Sequence, residues 1–343
     1  MKRIYLDHAA TTYVDPKVLE AMLPYFTDNF GNPNSIYTSG LASRKAIEDA
    51  RTTISEILNC EYDEIIFTGS GTESDNLAIF GTVQALAKDK KPEDLHLITS
   101  AIEHNAVQAP FKKLEKEGYK VTYIKPQRNG LIDPKDFEEA ITDKTAFASI
   151  IYANNEIGTI QPIAELTQIA HRNDIIFHTD ACQAAGALTM DTQELDVNLL
   201  TLNASKIYGP KGIGVLFKAS SIKLEPQIIG GGQESNLRSG TENVPGIVGM
   251  AKALELAQET YKEESARLTT LRNHLIDGIE KQIPRTYLNG DRDLRLPNNA
   301  NILILDIEGE ALLLHLDDAG IEVSTGSACD SKSLDPSHVL TAI

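Results

Sequence analysis

A chain of 343 residues, 41% of them hydrophobic, exceeds what one small core holds and predicts a large domain joined to a smaller one. A formal net charge of -17 excludes a general nucleic-acid or anionic-membrane surface, because phosphate recognition of that kind needs clustered positive charge. No apolar run is long enough to span a bilayer, and the segment Met1 to Asp7 has no apolar leader; the three cysteines, Cys60, Cys182 and Cys329, lack Cys-x-x-Cys spacing, so a reducing, cytoplasmic setting with free thiols and no zinc site is expected.

In chain order, short apolar runs alternate with amphipathic stretches. Strands are predicted at 65–68, 95–99, 121–124, 147–151, 175–178, 199–202 and 214–217. Helices are predicted at 75–87, 105–116 and 163–171, and a long one from about 246 to 268 leads toward the smaller domain. Repeated βα units predict an α/β fold with a mainly parallel sheet and helices on both faces. Ligands of such sheets collect at the carboxyl ends of the strands.

Polar clusters stand at those ends. After 65–68 comes Gly69-Ser70-Gly71-Thr72-Glu73-Ser74, whose backbone N–H groups and following helix suit an anion. It lacks the Gly-Lys-Ser/Thr of a nucleotide loop, so a small phosphate ester fits better, and a glycine-rich turn with a helix cap is the plain alternative. His104 follows the next strand and suits general acid/base work or stacking on a ring, or simply a cap. Asn154-Asn155-Glu156 adds amides at a third strand end. Asp180, after 175–178, suits the proton of a heteroaromatic ring nitrogen in an electron-sink cofactor, or a helix N-cap. Lys206, between 199–202 and Gly209-Pro210, is either a surface charge or an amine held against apolar surroundings as a nucleophile for a carbonyl carbon. Cys329 lies among small polar residues, 324–328 and 330–333, which predict an accessible loop from which a thiol can pass sulfur onward.

Taken together, Tyr5-Leu6-Asp7-His8-Ala9-Ala10-Thr11-Thr12, Gly71-Thr72-Glu73-Ser74, Glu103-His104, Asn154-Asn155-Glu156-Ile157-Gly158, His178-Thr179-Asp180 with Gln183, Lys206 with Gly209-Pro210-Lys211-Gly212, Gly230-Gly231-Gly232-Gln233-Glu234, Arg238-Ser239-Gly240-Thr241-Glu242-Asn243 and Ser324-Thr325-Gly326-Ser327-Ala328-Cys329 resemble the cysteine desulfurases. The resemblance is to the NifS/IscS-like branch of the class V aminotransferase group and runs the length of the chain. It implies a fold-type I transferase dependent on pyridoxal 5'-phosphate, with a large cofactor-binding domain over 15–254 and a smaller α+β domain from 1–14 with 255–343.

The resemblance also implies roles. Lys206 forms the Schiff base with the cofactor and shuttles the Cα proton, Asp180 pairs with the pyridine nitrogen, and His104 stacks on the ring and assists proton transfer. Gln183 meets the ring hydroxyl, and Asn155 the cofactor or substrate. Gly71, Thr72 and Ser205 hold the phosphate, with Thr241 reaching in from the partner of a homodimer. L-cysteine becomes L-alanine while Cys329 takes the sulfur as a persulfide for an acceptor protein, an iron–sulfur scaffold or a tRNA-thiolating enzyme, with no direct nucleic-acid or membrane contact. Cys60 is expected to pack at a helix end and Cys182 behind the cofactor. Another class V enzyme such as a selenocysteine lyase, or a cofactor-binding scaffold without turnover, are the alternatives; retention of both Lys206 and Cys329 argues against the scaffold.

Three departures stand out. Asn203-Ala204-Ser205 replaces the usual Ser-x-His before the lysine, so a potential cation is lost and weaker cofactor retention is expected. Tyr37 stands where histidine is common. The sequence closes at Ile343, whereas the resemblance places an arginine for the substrate carboxylate further on.

Overall fold

The computed structural model describes residues 3–325 and 337–343. Its strands are β1 (Ile4–Tyr5), β2 (Ile65–Thr68), β3 (His96–Ser100), β4 (Lys120–Ile124), β5 (Thr145–Ser149), β6 (Ile176–Asp180), β7 (Leu199–Asn203), β8 (Gly214–Lys218), β9 (Thr286–Leu288), β10 (Ile302–Ile304) and β11 (Ile321–Glu322). The seven strands read from sequence are β2 to β8, and they form one sheet in the order β2-β8-β7-β6-β5-β3-β4. Pairing is parallel from β4 through β7, and β8 runs antiparallel to both β2 and β7.

Side chains alternate across this sheet, and both faces are covered. Ile65, Phe67, Leu200, Leu202, Val215 and Phe217 join one core with residues of the helices Thr38–Leu58, Ile163–Arg172 and Val244–Gln282. Ile66, Leu199 and Leu216 point the other way, into a second core with residues of Gly71–Leu86 and Asn105–Lys116. Burial on both faces explains why these strands read as unbroken apolar runs.

Beyond the sheet, β1 pairs in parallel with β11 and β9 antiparallel with β10, beside the helix Gly309–Asp318. Val244–Gln282 runs on well past the predicted end at 268. Its second half is mostly exposed and polar, so apolar periodicity there is too thin to mark the true terminus. No helix among the described residues is long and apolar enough to cross a membrane.

Candidate active site

The site is assembled where β2, β3, β5, β6 and β7 end. After β2, Ser70 caps the helix Gly71–Leu86 by accepting from the Glu73 N–H at 3.1 Å, so the free amides of the first turn face the strand ends. A Cβ placed on Gly71 would stand 2.8 Å from Cys182 Sγ and 3.2 Å from Asn203 Cβ, so only glycine lets the helix start this close. Asp180 is the last residue of β6, 4% exposed, and its Oδ1 accepts from the Cys182 N–H at 2.9 Å. Lys206 closes the single turn Ala204–Lys206 that follows β7. With His104 after β3 and Asn155 after β5, these groups line one cavity of about 280 Å³.

Burial dominates the electrostatics. His104 caps the helix Asn105–Lys116, its Nδ1 accepting from the Ala106 N–H at 3.1 Å, so capping and lining the cavity are one role. Burial lowers its pKa against the opposing pull of Asp180, which leaves a neutral ring at neutral pH. Glu103 beside it is fully buried, its Oε1 accepts from the Ile151 N–H at 3.0 Å, and burial pushes its carboxyl up to about 8. Asp75 is raised well above the usual carboxylate range by burial and by Asp180, and burial pulls His178 down to about 4.

Eight residues expected at the site, Gly71, Thr72, His104, Asn155, Asp180, Gln183, Ser205 and Lys206, line the cavity. Thr241 is exposed and is not among the lining residues, and Cys329 lies outside the described residues. Cys182 is buried against Gly71, and Cys60 follows the left-handed Asn59 that ends the helix Thr38–Leu58, as expected of two packing thiols. The apolar setting expected for Lys206 is corrected: its Nζ donates to the carbonyls of Ala9 at 2.7 Å and Ala10 at 2.6 Å, because the N-terminal segment folds over the strand ends. Gln183 Nε2 donates to the same Ala9 carbonyl at 2.9 Å.

Sequence reasoning missed Asp75 and the covering residues Asp7, Ala9 and Ala10. The four-residue step from Gly71 to Asp75, one turn of helix, was the available signal for the first. A larger cavity of about 870 Å³ also reaches Lys206 and Gln183, along the second half of Val244–Gln282. It contains neither Asp180 nor the start of Gly71–Leu86, so the chemistry converges on the smaller one.

Pyridoxal 5'-phosphate fits these residues. The helix start at Gly71, with the hydroxyls of Thr72 and Ser205, suits a phosphate, and Asp180 suits a protonated pyridine nitrogen. The orphaned buried Asp75 Oδ1, on a residue that lines the cavity, marks polar capacity that the chain's own side chains do not take up.

The comparisons agree with that chemistry. Residues 4–343 match the aminotransferase class-V family. The chain is 52% identical over 344 residues to cysteine desulfurase IscS of Dictyoglomus turgidum, covering 100% of this chain and 86% of that protein. It is 50% identical over 341 residues to the enzyme of the same name from Methanosarcina thermophila, covering 99% and 83%. Among solved structures, a NifS-like protein superposes with a TM-score of 0.92 at 35% identity, covering 99% of this chain and 89% of that one. SspA in complex with cysteine superposes with a TM-score of 0.85 at 38% identity, covering 98% and 93%. A half-buried lysine, a buried aspartate and a helix start gathered at the strand ends of this sheet, in a chain so similar throughout its length, place it in the class-V aminotransferase family, among its pyridoxal-phosphate-dependent cysteine desulfurases of the NifS/IscS-like branch.

Proposed function

We propose that this chain converts L-cysteine to L-alanine and carries the released sulfur as a persulfide on Cys329. The observation that carries the reading is the convergence of Lys206, Asp180, His104 and the start of Gly71–Leu86 on one cavity. A solved relative at 38% identity is in complex with cysteine, which supports the substrate. Bound at this site, pyridoxal phosphate supplies the electron sink that makes the Cα–H and Cβ–S bonds of an amino acid labile.

The protein's part is to bind, orient and move protons. The amides at Gly71, the Thr72 hydroxyl and the hydrogen-bonded pair of Ser205 and Asn203 would hold the phosphate, with Thr241 of a partner subunit added in a homodimer. Asp180 would keep a proton on the ring nitrogen, Gln183 would meet the ring hydroxyl, and Asn155 would orient cofactor or substrate. Lys206 Nζ would hold the cofactor through its carbonyl carbon and serve as the base for the Cα proton, and the neutral His104 ring, which lines the same cavity, would stack on the cofactor ring and pass a proton. Cys329 as thiolate attacks the substrate sulfur and the Cβ–S bond breaks; the sulfur stays on Cys329, and the carbon skeleton leaves as L-alanine after protonation. The persulfide then goes to an acceptor protein, an iron–sulfur scaffold or a tRNA-thiolating enzyme.

The exposed side chains of Phe30, Ile36 and Ile229, at 74%, 88% and 86%, support the homodimer. The free thiols of Cys60 and Cys182 support a cytoplasmic setting. The division into 15–254 and 1–14 with 255–343 is proposed on the same footing, with Val244–Gln282 joining the two parts.

One experiment tests the reading. The protein loaded with pyridoxal phosphate should sediment as a dimer and release equal amounts of L-alanine and sulfide from L-cysteine and a reductant. Cys329→Ser should keep the cofactor and lose sulfide release. Undiminished sulfide from that variant would remove Cys329 from the mechanism, and a loaded wild type that makes no alanine would remove the activity.

A further inference from the structure

Asp75 lies one turn into the helix Gly71–Leu86, is 1% exposed, and lines the same cavity as Asp180. Its Oδ1 has no hydrogen-bond partner among the described residues. The His178 ring stands beside it, with Nε2 3.7 Å from that oxygen. That ring is engaged elsewhere, since Nδ1 faces Ser149 Oγ at 2.8 Å and Nε2 faces Thr201 Oγ1 at 3.0 Å. Burial pulls its pKa down to about 4, so it offers Asp75 no positive charge at neutral pH.

The other titratable groups near Asp75 are the acids Asp180 and Glu103 and the buried thiol of Cys182. Lys206 turns its amine to the carbonyls of Ala9 and Ala10. An ionised Asp75 would therefore be a second buried anion next to Asp180 with no cation beside it and only the Thr201 hydroxyl in its favour, an arrangement that burial and like-charge repulsion both oppose. This agrees with the upward displacement of its pKa by the same two causes.

We propose that Asp75 is a positioning residue of the cofactor site that works as a neutral carboxylic acid, so that Asp180 is the single buried anion facing the pyridine nitrogen. A second anion there would hold the ring-nitrogen proton to higher pH. A neutral carboxyl fills the same space and offers a hydrogen bond without that charge. The inference rests on the reading of the cavity as a pyridoxal phosphate site, and its test separates the two.

The full chain, stripped of cofactor, is titrated with pyridoxal 5'-phosphate by visible absorbance, and the pH midpoint of the bound cofactor's spectrum is recorded. Asp75→Asn, neutral and of the same shape, is expected to bind within about twofold of wild type with its midpoint in place, whereas Asp75→Ala is expected to bind about tenfold more weakly. One infrared band of a protonated carboxyl should be present in wild type and missing in Asp75→Asn, a readout that does not need the alanine variant to fold. A tenfold loss or a midpoint displaced by about one unit in Asp75→Asn would show an ionised Asp75 and overturn the proposal. Wild-type affinity in Asp75→Ala would overturn it as well. Failure of the wild-type chain to bind at all would remove the cofactor reading, and this inference with it.

Discussion

Ser205 and Asn203, which replace a histidine and a serine of the family pattern, are tied to each other. Both the N–H and the hydroxyl of Ser205 donate to Asn203 Oδ1, each at 3.2 Å. The Ser205 hydroxyl is thereby turned inward, and its carbonyl is fixed by the Thr12 N–H at 2.9 Å and the Thr12 hydroxyl at 3.0 Å. Asn203 Nδ2, near the Gly71 helix start, is then the donor best placed for a phosphate on that side. Its loss should cost about one hydrogen bond to a charged group, roughly 1.5–3 kcal/mol or at least tenfold in affinity. Asn203→Ala is therefore expected to raise the dissociation constant of pyridoxal phosphate more than Ser205→Ala does, measured by titration of the stripped protein. Wild-type affinity in Asn203→Ala would return the phosphate contact to Ser205.

At the scale of elements, the glycine-rich segment after β8 is held by a buried ion pair. Glu234, Ser235 and Asn236 have φ of 48°, 55° and 66°, a left-handed run that costs non-glycine residues free energy. Glu234 pins that run: it accepts from Arg51 Nη2 at 2.7 Å and Nη1 at 3.0 Å, and from the Phe67 N–H of β2 at 2.9 Å. Arg51, from Thr38–Leu58, lies over the Phe67 ring at 4.8 Å, and the two charged side chains are 11% and 4% exposed. Removing one partner leaves the other buried and unpaired, so Arg51→Leu should destabilise the fold by about 3–5 kcal/mol, with part recovered when Glu234→Leu is added. Denaturant unfolding of the single and double variants measures this, and purely additive losses would show that the pair is not coupled.

This clamp was not legible in the sequence, because it joins residues 183 positions apart that carry no periodic signal. The strands were legible for the opposite reason: runs such as Ile65-Ile66-Phe67-Thr68 are buried on both faces and admit no polar residue. The reversal of β8 could have been read as well, since residues 204–213 leave no room for a helical crossover from β7. Lys206, Asp180 and His104 could be expected to lie together because strand ends are where such a sheet gathers its polar groups, and all three line one cavity. Asp75 was passed over as one more residue of a helix predicted to begin there, whereas the helix starts at Gly71 and turns Asp75 inward.

Across the whole molecule, buried titratable groups behind the site set how stability depends on pH. Glu103, with its pKa raised from 4.5 to about 8, keeps its proton in the folded chain while the unfolded chain loses it, so it makes stability fall as pH rises from 4.5 to 8. His178, lowered from 6.5 to about 4, stays neutral when folded while the unfolded chain takes up a proton, so it makes stability rise from pH 4 to 6.5. The two offset each other between pH 4.5 and 6.5, and above 6.5 the buried acids act alone. Asp75, raised in the same direction as Glu103, adds to the fall. Unfolding free energy should therefore decline between pH 6.5 and 8, and Glu103→Gln, which holds the neutral form at every pH, should remove about one proton from the slope, roughly 1.4 kcal/mol per pH unit. Urea unfolding of wild type and variant at the two ends of that window measures the difference. Equal slopes would mean that Glu103 is already ionised in the folded protein at pH 6.5, and Asp180 would then not be the one buried anion behind this site.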